Sequence, residues 1–379
     1  DLTYKLGFRF GQAGKTMALA SFGDPKRFAD RPLGKLDNEG NLYLDKITFV
    51  PELDRLLEVE PLPDFHDNSV DVRGWWADAA AHYQKFLEDT EIYFIGNLMK
   101  KYKQENLCMA GGVALNCVAN SKIIDTLKIK DYFIQPAASD DGQALGAALY
   151  GYYSLLKGSE RHPTGHTFLG RTYRHKVVTD ELEKRSNLDW SVHEDIEEVV
   201  AKEIAEGKIV GWFQGGSEYG PRALGHRSML ADPSNPKIKE IINARVKHRE
   251  MFRPFAAAIT EDEVQNYFEF SGKSPYMLFA VYLKKPFRDK LPSIIHIDGS
   301  SRIQTVDRKS NERFYKLLMA MKSHTGYPIL LNTSFNVAGQ PIVESPRDAI
   351  ETFLNEDIDL LVIDNVLIKK VASSWGKND

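Results

Sequence analysis

The chain has 379 residues, of which 42% are hydrophobic and 27% charged, a composition typical of a folded protein with about two domains. The formal net charge of −4 argues against a protein that binds nucleic acid through its overall charge. With only Cys108 and Cys117, neither a disulfide framework nor a cysteine zinc site is expected, and a reducing, cytoplasmic setting is predicted. No apolar run reaches the length of about 18 residues that a membrane-spanning helix needs, so no membrane partner is expected.

The first half of the chain predicts helices that alternate with short strands. Hydrophobic residues recur at helical spacing through residues 76–103, and an apolar strand is predicted from Asn106 to a pair of glycines. A helix at 116–127, a strand at 131–135 and a small-residue helix at 142–155 follow. This alternation is typical of an α/β domain.

A segment rich in Gly, Thr, His and Arg at 158–176 predicts the junction between two domains, 1–172 and 173–379. The pattern then restarts and favours a second α/β domain with a mixed sheet. Its strands are predicted at 208–214, 255–260, 278–283, 302–306, 328–331 and 359–363, and its helices at 179–185, 195–206, 236–247, 261–267, 312–322 and 346–355.

The most informative motif is Ser-Glu-Tyr-Gly-Pro-Arg-Ala-Leu-Gly-His-Arg-Ser at 217–228. Arg222 and Arg227 offer forked, permanently charged donors that match phosphate and carboxylate groups. Gly220 and Gly225 let the backbone approach a ligand closely. The motif therefore predicts an anion-binding site rather than a surface turn with incidental arginines.

Further polar residues border the predicted strands of the second domain. Arg253 lies between aromatic residues just before a strand, where an unpaired charge is costly, so its partner is either a structural carboxylate or a bound anion. His296, Asp298, Arg302 and Gln304 alternate with apolar residues, so on one strand they would share a face. That face favours a binding site over a solvated surface.

The strand predicted at 328–331 runs directly into Asn332, Thr333, Ser334 and Asn336. Open α/β sheets bind ligands beyond the carboxyl ends of their strands. Short amide and hydroxyl side chains there suit a ribose, a phosphate or a small amide. A capping turn that leads into a hairpin is the alternative.

In the first domain, Gly111 and Gly112 lie between a strand and a helix, a weak signal for a phosphate cradle when taken alone. Asp140 and Asp141 stand at the entrance of the next helix. They fit helix capping and the binding of a metal or a magnesium nucleotide equally well.

Together, five motifs resemble the NodU/CmcH O-carbamoyltransferases, the type represented by tobramycin carbamoyltransferase. They lie in the family's order at 111–116, 139–149, 217–228, 252–256 and 331–336. The resemblance implies a transfer module of the actin and sugar-kinase (ASKHA) superfamily, followed by a YrdC-like α/β module with a mixed sheet. It also implies that only the C-terminal half of the first module is present here.

The resemblance further implies an ATP-dependent carbamoyltransferase. The YrdC-like module would form carbamoyl-adenylate from carbamoyl phosphate and ATP, with Mg²⁺ on the ATP phosphates. The first module would then transfer the carbamoyl group to a hydroxyl of a small-molecule acceptor, a natural product or sugar, as in antibiotic or secondary-metabolite biosynthesis. The sequence identifies neither that acceptor nor an oligomeric state.

Matching positions receive roles from the resemblance: phosphate binding, adenylate binding, and nucleotide and metal binding in the first module. The basic groups around carbamoyl phosphate and the ATP phosphates would be Arg222, Arg227, Lys247 and Arg253. The adenylate site would include His296, Arg302, Asn332, Thr333, Ser334 and Asn336. The first module would bind a nucleotide with Gly111, Gly112, Asn116 and Asp141, and Fe²⁺ or another divalent transition metal with Asp140.

The family's metal site also needs a helical HxxxH pair, which this sequence does not supply. His162 and His166 have the spacing, but Pro163 and Gly165 lie between them and argue against a helix. We therefore expect the histidines in a removed N-terminal segment or a second chain. The chain by itself should form the adenylate better than it transfers the carbamoyl group.

Three alternative functions compete with this interpretation. A hydrogenase-maturation carbamoyltransferase would need cysteine-rich zinc fingers, which two cysteines cannot supply. A tRNA threonylcarbamoyl-adenylate synthase would be expected to carry a basic face, against the net charge of −4. A partially degenerate, non-catalytic ATP-binding scaffold is favoured by the missing histidines and opposed by the intact basic motifs.

Overall fold

The computed structural model describes residues 2–9, 11–37, 41–44, 49–67, 69–161 and 165–371. His162 lies outside these residues, so its pairing with His166 is not described. Among the described residues, none of the helices combines the length and the apolar character needed to cross a bilayer. The chain is α/β, as the sequence predicted, with one large mixed sheet.

The N-terminal region packs short helices around an aromatic core. Phe8, Phe28, Phe49, Trp75 and Trp76 are all buried in this core. Sequence patterns predicted none of the elements before the helix that starts at Trp75: the helices Leu2–Lys5 and Ala13–Ala20 are short, whereas the apolar repeat of the helix Phe49–Val59 was missed. The elements are α1 (Leu2–Lys5), α2 (Ala13–Ala20), β1 (Gly34–Leu36), β2 (Leu42–Leu44), α3 (Phe49–Val59) and α4 (Trp75–Tyr102).

The next elements follow the sequence prediction closely. β3 (Asn106–Met109) and β4 (Asp131–Ile134) form a separate parallel pair. Asn116 begins the helix between them, because its Oδ1 accepts the backbone N–H of Ala119 at 3.0 Å. The helices here are α5 (Cys117–Leu127) and α6 (Gln143–Tyr150), the latter continued by a π-helical turn at Gly151–Leu155.

The C-terminal half is built on nine strands with helices on both sides. Its helices are α7 (His175–Leu182), α8 (Ile196–Ala205), α9 (Ile238–Ile241), α10 (Val264–Tyr267), α11 (Lys285–Arg288), α12 (Glu312–Thr325) and α13 (Pro346–Asn355). Its strands are β5 (Leu188–Val192), β6 (Val210–Phe213), β7 (Arg227–Ala231), β8 (Ala256–Thr260), β9 (Phe279–Tyr282), β10 (Ser300–Val306), β11 (Ile329–Ser334), β12 (Leu360–Ile363) and β13 (Val366–Lys370).

These strands form one mixed sheet in the order β5-β13-β12-β6-β7-β11-β8-β10-β9. β12 runs parallel to β6 and β10 parallel to β8, whereas the other neighbours are antiparallel. On one face, Leu230 and Leu330 pack in a core with α8 and α12. The core of the other face also takes in Ala114 and Ile134 from the first half. The two halves therefore pack against each other, and the division at residue 172 stays a prediction.

Three strands of this sheet escaped prediction. β5 and β13 are edge-side strands with several exposed positions, and β7 begins with Arg227 and Ser228, which do not read as a buried strand. The helix expected at 236–247 is α9 followed by a π-helical turn at Ile242–Val246.

Candidate functional site

The motif at 217–228 folds as a tight loop around the carboxylate of Glu218. One of its oxygens accepts the backbone N–H groups of Leu224, His226 and Arg227 at 2.7, 2.8 and 3.2 Å. Burial raises the pKa of Glu218, although these N–H donors act in the opposite direction. Gly225 has a φ of +99°, and a side chain there would lie 2.3 Å from the ring of Phe314. The loop therefore has one well-determined conformation.

The central sheet supports this loop from below. Gln304 donates to the carbonyl of Leu224 at 2.8 Å and accepts from the Asn332 amide at 2.9 Å. The two side chains come from β10 and β11 and meet above β8, where Ala256 and Ala258 leave room. Asn332 is fully buried and supports the loop, so it does not line a pocket as the sequence suggested.

The two arginines of the motif have different environments. Arg227 is fully buried, its guanidinium donates to the carbonyls of Gln214 and Gly215 at 2.7 and 3.0 Å, and it lies 3.4 Å above the ring of Phe213. The guanidinium also donates three further hydrogen bonds to backbone carbonyls. We therefore assign Arg227 to holding the loop rather than to binding a ligand.

Arg222, in contrast, has no carboxylate partner among the described residues. The nearby guanidinium of Arg302, followed by burial, lowers the pKa of Arg222. The buried Nε atoms of both arginines also lack hydrogen-bond partners. Two adjacent cations with unsatisfied donors favour a bound anion between them.

Lys247 joins the basic residues to the Ser-x-Asn turn at the end of β11. Its ammonium donates to the Ser334 carbonyl, to Ser334 Oγ at 3.2 Å, and to the carbonyl and Oδ1 of Asn336 at 2.8 Å each. Burial, followed by the charges of Arg249 and Arg253, lowers the pKa of Lys247 well below its ordinary value. The sequence prediction that Lys247, Ser334 and Asn336 lie together is thus consistent with their placement.

Arg249 is a residue that the sequence interpretation missed. Its Nε donates to Asn243 Oδ1 at 2.7 Å, and burial, followed by Arg253 and Arg302, lowers its pKa. Its position two residues after Lys247 was the available signal.

Arg253 has one carboxylate partner, Glu250, at 3.6 Å. The sequence left open whether the partner of Arg253 is a structural carboxylate or a bound anion. The structure shows that a structural carboxylate is present. Glu250 is thus a single buried carboxylate beside several cations. We call five basic residues of this region the cationic cluster: Arg222, Lys247, Arg249, Arg253 and Arg302.

One cavity lies beside the loop and the Ser334–Asn336 turn, and a second is lined by two members of the cationic cluster. The first, of about 420 Å³, lies between Ser217–Pro221 of the loop and the Ser334–Asn336 turn, with residues 340–344 as a further wall. The second, of about 670 Å³, is lined by Arg249 and Arg253 and by residues of the N-terminal region. The loop and the turn that the sequence singled out therefore face each other across open space.

His296 and Asp298 do not share a strand face with Arg302 and Gln304, so that part of the prediction was wrong. β10 starts only at Ser300, and Asp298 caps its start by accepting the Ser300 N–H at 2.9 Å. His296 is buried with its ring 5.2 Å from that of Phe22, and burial lowers its pKa to about 4. Thr333 is buried within β11.

The glycine-rich turns of the first half lie against the loop of the second half. The hydroxyl of Tyr219 donates to the Asp141 carbonyl at 2.6 Å, and a side chain at Gly220 would come within 3.0 Å of the Pro136 carbonyl. Gly111, with a φ of +98°, and Gly112 precede α5 in the same region. The amide of Asn116 is engaged by Gln84 on α4 at 2.9 Å.

Asp140 is exposed, and its carboxylate accepts the Gln143 amide at 3.1 Å. It caps no backbone N–H of α6. Within the described ranges, no group of three or more His, Cys, Asp or Glu side chains is arranged to hold a metal ion. The residues around Asp140 therefore do not by themselves fit a bound transition metal.

Two family profiles match most of the chain. The profile of the family "Carbamoyltransferase N-terminus" matches residues 2–149, and that of "Carbamoyltransferase C-terminus" matches residues 201–370. The chain belongs to the carbamoyltransferase family, as the sequence motifs predicted.

Curated relatives match nearly the full chain. An uncharacterized protein of Synechocystis is 34% identical over all of this chain and 67% of its own length. Nodulation protein NolO of Bradyrhizobium diazoefficiens is 38% identical, with 95% of this chain and 66% of the relative aligned. Nodulation protein NolNO of Sinorhizobium fredii is 37% identical, with 98% and 55% aligned. The chain thus spans between about half and two thirds of the length of these relatives.

Two solved structures of HypF, one of them from T. kodakarensis, each align with 48% of this chain. Their sequence identities are 16% and 17%, and their TM-scores are 0.31 and 0.33. These values are too low to define more than a partial similarity.

Proposed function

We propose that the C-terminal half of this chain forms carbamoyl-adenylate from carbamoyl phosphate and ATP, as one step of ATP-dependent O-carbamoyl transfer. The observation that carries the proposal is the cationic cluster. Among the described residues, the only ion pair that a member of this cluster forms is the one between Arg253 and Glu250. Grouped cations that lack anionic partners destabilise a fold unless a bound anion compensates them.

Residue roles follow from position in the cluster. Lys247 links the Ser334–Asn336 turn to the arginines, so this side suits the α-phosphate and ribose of the nucleotide. Arg222, Arg302 and Arg253 would bind the phosphate of carbamoyl phosphate and the departing pyrophosphate. Mg²⁺ carried by ATP would neutralise further charge and needs no protein ligand for that purpose.

The reaction joins two anions. Water first releases phosphate from carbamoyl phosphate and leaves carbamate. A carbamate oxygen then bonds to the α-phosphorus of ATP while the bond from that phosphorus to pyrophosphate breaks. Fixed arginines offset the repulsion between the reactants and stabilise the charge that develops on pyrophosphate. Finally, an acceptor hydroxyl attacks the carbamoyl carbon, its proton is lost, and AMP leaves.

Arg222 variants test the role of the cluster. Replacement of Arg222 by Ala is expected to raise the barrier to pyrophosphate release by about 2–4 kcal/mol. The matched control is Arg245→Ala, since Arg245 is exposed and pairs with Asp357 at 3.4 Å outside the cluster. Its rate should stay within about twofold of the parent rate. Equal rates for Arg222→Ala and the parent would contradict the proposed role.

We further propose that the transfer step needs polypeptide beyond these residues. Asp140 has no metal-binding neighbours among the described residues, and a ferrous or other transition-metal site would require additional ligands. A remaining part of the first module, on the same chain or on a second one, would supply them. The acceptor would be a hydroxylated small molecule.

A further inference from the structure

The segment 249–253 crosses from the cationic cluster into the core of the N-terminal region. Phe252 is buried there, with its ring 5.5 Å from that of Phe65 and 6.3 Å from that of Phe8. The Met251 N–H also donates to the Phe65 carbonyl at 3.4 Å. The position of this segment therefore depends on the N-terminal region.

An ion pair adds to this anchor on the cluster side. Lys15 of α2 donates to Glu250 Oε1 at 2.5 Å, with the lysine side chain 16% and the glutamate side chain 5% exposed. Burial would raise the pKa of Glu250, but the hydrogen bond from Lys15 and the nearby charges lower it overall. Glu250 therefore stays ionised in a buried position.

The second oxygen of Glu250 faces Arg253. It is buried, has no hydrogen-bond partner among the described residues, and lies 3.6 Å from the Arg253 guanidinium. The charge of Arg302 also repels Arg253, and the Arg253 side chain is 34% exposed. Without Glu250, repulsion would therefore drive Arg253 away from the cluster and toward solvent.

Lys15, Arg249 and Arg253 line the same cavity of about 670 Å³. We propose that Lys15 and Glu250 form a positioning pair through which the N-terminal region sets the orientation of Arg253, and so the affinity of the cluster for phosphorylated substrates. This inference rests on the anion-binding part of the proposed function. It makes the C-terminal site dependent on a residue of the other half.

A charge-neutral double variant separates positioning from electrostatics. Lys15→Met alone leaves an uncompensated carboxylate beside the cluster, which weakens anion binding whatever the geometry. Lys15→Met combined with Glu250→Leu removes one charge of each sign. It also replaces a buried ion pair by apolar groups, which tends to preserve stability.

Pyrophosphate binding, measured by calorimetry on the full chain, is the test. The double variant should keep the parent melting temperature but bind pyrophosphate about tenfold more weakly, because Arg253 is no longer held in place. Lys15→Arg should bind like the parent. The control is Lys5→Met, which removes the Lys5–Asp54 pair of the same region and should change nothing.

Parent-like affinity for pyrophosphate in the double variant would overturn the inference. If the double variant instead melts at a lower temperature and binds pyrophosphate normally under conditions that keep it folded, the inference would also be overturned. These outcomes are separate from failure of the proposed function. Binding reports the geometry of the cluster, whereas absence of carbamoyl-phosphate-dependent pyrophosphate release from the parent protein would concern the chemistry alone.

Discussion

At the scale of single residues, the motif at 217–228 contains two arginines with opposite roles. The buried Nε atom is unpaired in both arginines, but the two terminal nitrogens of Arg227 donate to backbone carbonyls, whereas Arg222 lies beside the charge of Arg302. Both side chains carry the same chemistry, so the sequence placed both at the phosphates. Only the burial of Arg227 against Phe213 separates them, and that burial depends on a strand the sequence did not reveal.

Arg227→Met tests this assignment. The variant keeps the apolar stem over Phe213 but leaves buried carbonyls, including that of Gln214, without a donor. We expect the free energy of unfolding to fall by about 3–5 kcal/mol. Urea denaturation of this variant and of Arg245→Met, which loses only an exposed pair, gives the comparison. A loss below about 1 kcal/mol would return Arg227 to the list of ligand-binding candidates.

For the residues at the end of β11, the sequence predicted the position correctly but not always the role. Asn332 does follow a buried stretch of strand, yet it contacts Gln304 and the loop instead of a cavity. Ser334 and Asn336 do border a cavity together with the loop at 217–221. Position along the strand decides the difference, because Asn332 and Ser334 lie on the same face of β11 but only Asn332 lies beneath the loop, whereas Ser334 ends the strand beside the cavity.

At the scale of elements, the loop at 217–226 depends on one carboxylate. Glu218 holds three backbone N–H groups at once, and Gly225 allows the close approach to α12. Loss of the carboxylate should therefore loosen the whole loop without unfolding the sheet.

Hydrogen exchange of the Glu218→Ala variant measures how far the loop loosens. The amides of Leu224 and His226 should exchange about 10–100 times faster than in the parent protein, whereas amides of α12 should not change. Arg222 would lose its fixed position as a result. Unchanged exchange at both amides would show that the loop is held by other contacts.

Repeats of apolar residues predicted some of the helices but not all of them. α4, α5 and α12 have long repeats of apolar residues, and their prediction is confirmed. α3 is as long as α5 and amphipathic, and its repeat was missed, whereas α1 and α2 are short and β5 and β13 have exposed faces. Their formation depends on tertiary packing, which a single sequence does not display.

At the scale of the whole molecule, the first half exposes a surface that lacks a packing partner among the residues that the structure describes. α6 has no buried residue although it is rich in Ala and Leu, and Leu155 and Leu156 just after it are 67% and 78% exposed. β3 and β4 form only a two-stranded parallel pair, which is seldom stable without further strands. The curated relatives extend beyond the aligned part, so additional family sequence is available to cover this surface.

Addition of the part of a relative such as NolO that does not align with this chain should therefore protect α6 from hydrogen exchange. The amide exchange of α6 should slow by about 100-fold, and the bound iron or zinc should rise to about one per complex. Leu156→Glu should weaken both effects, whereas Val192→Glu, on the exposed side of β5, should not. Equal exchange and metal content with and without the added polypeptide would refute this partner.

The most direct test of the central claim is pyrophosphate release from ATP by the purified chain, with and without carbamoyl phosphate. The account predicts release that requires carbamoyl phosphate, together with a carbamoyl-adenylate detectable by mass spectrometry, even when no acceptor is present. Pyrophosphate release at the same rate without carbamoyl phosphate, or no release in its presence, would contradict the assignment of the cationic cluster to adenylate formation.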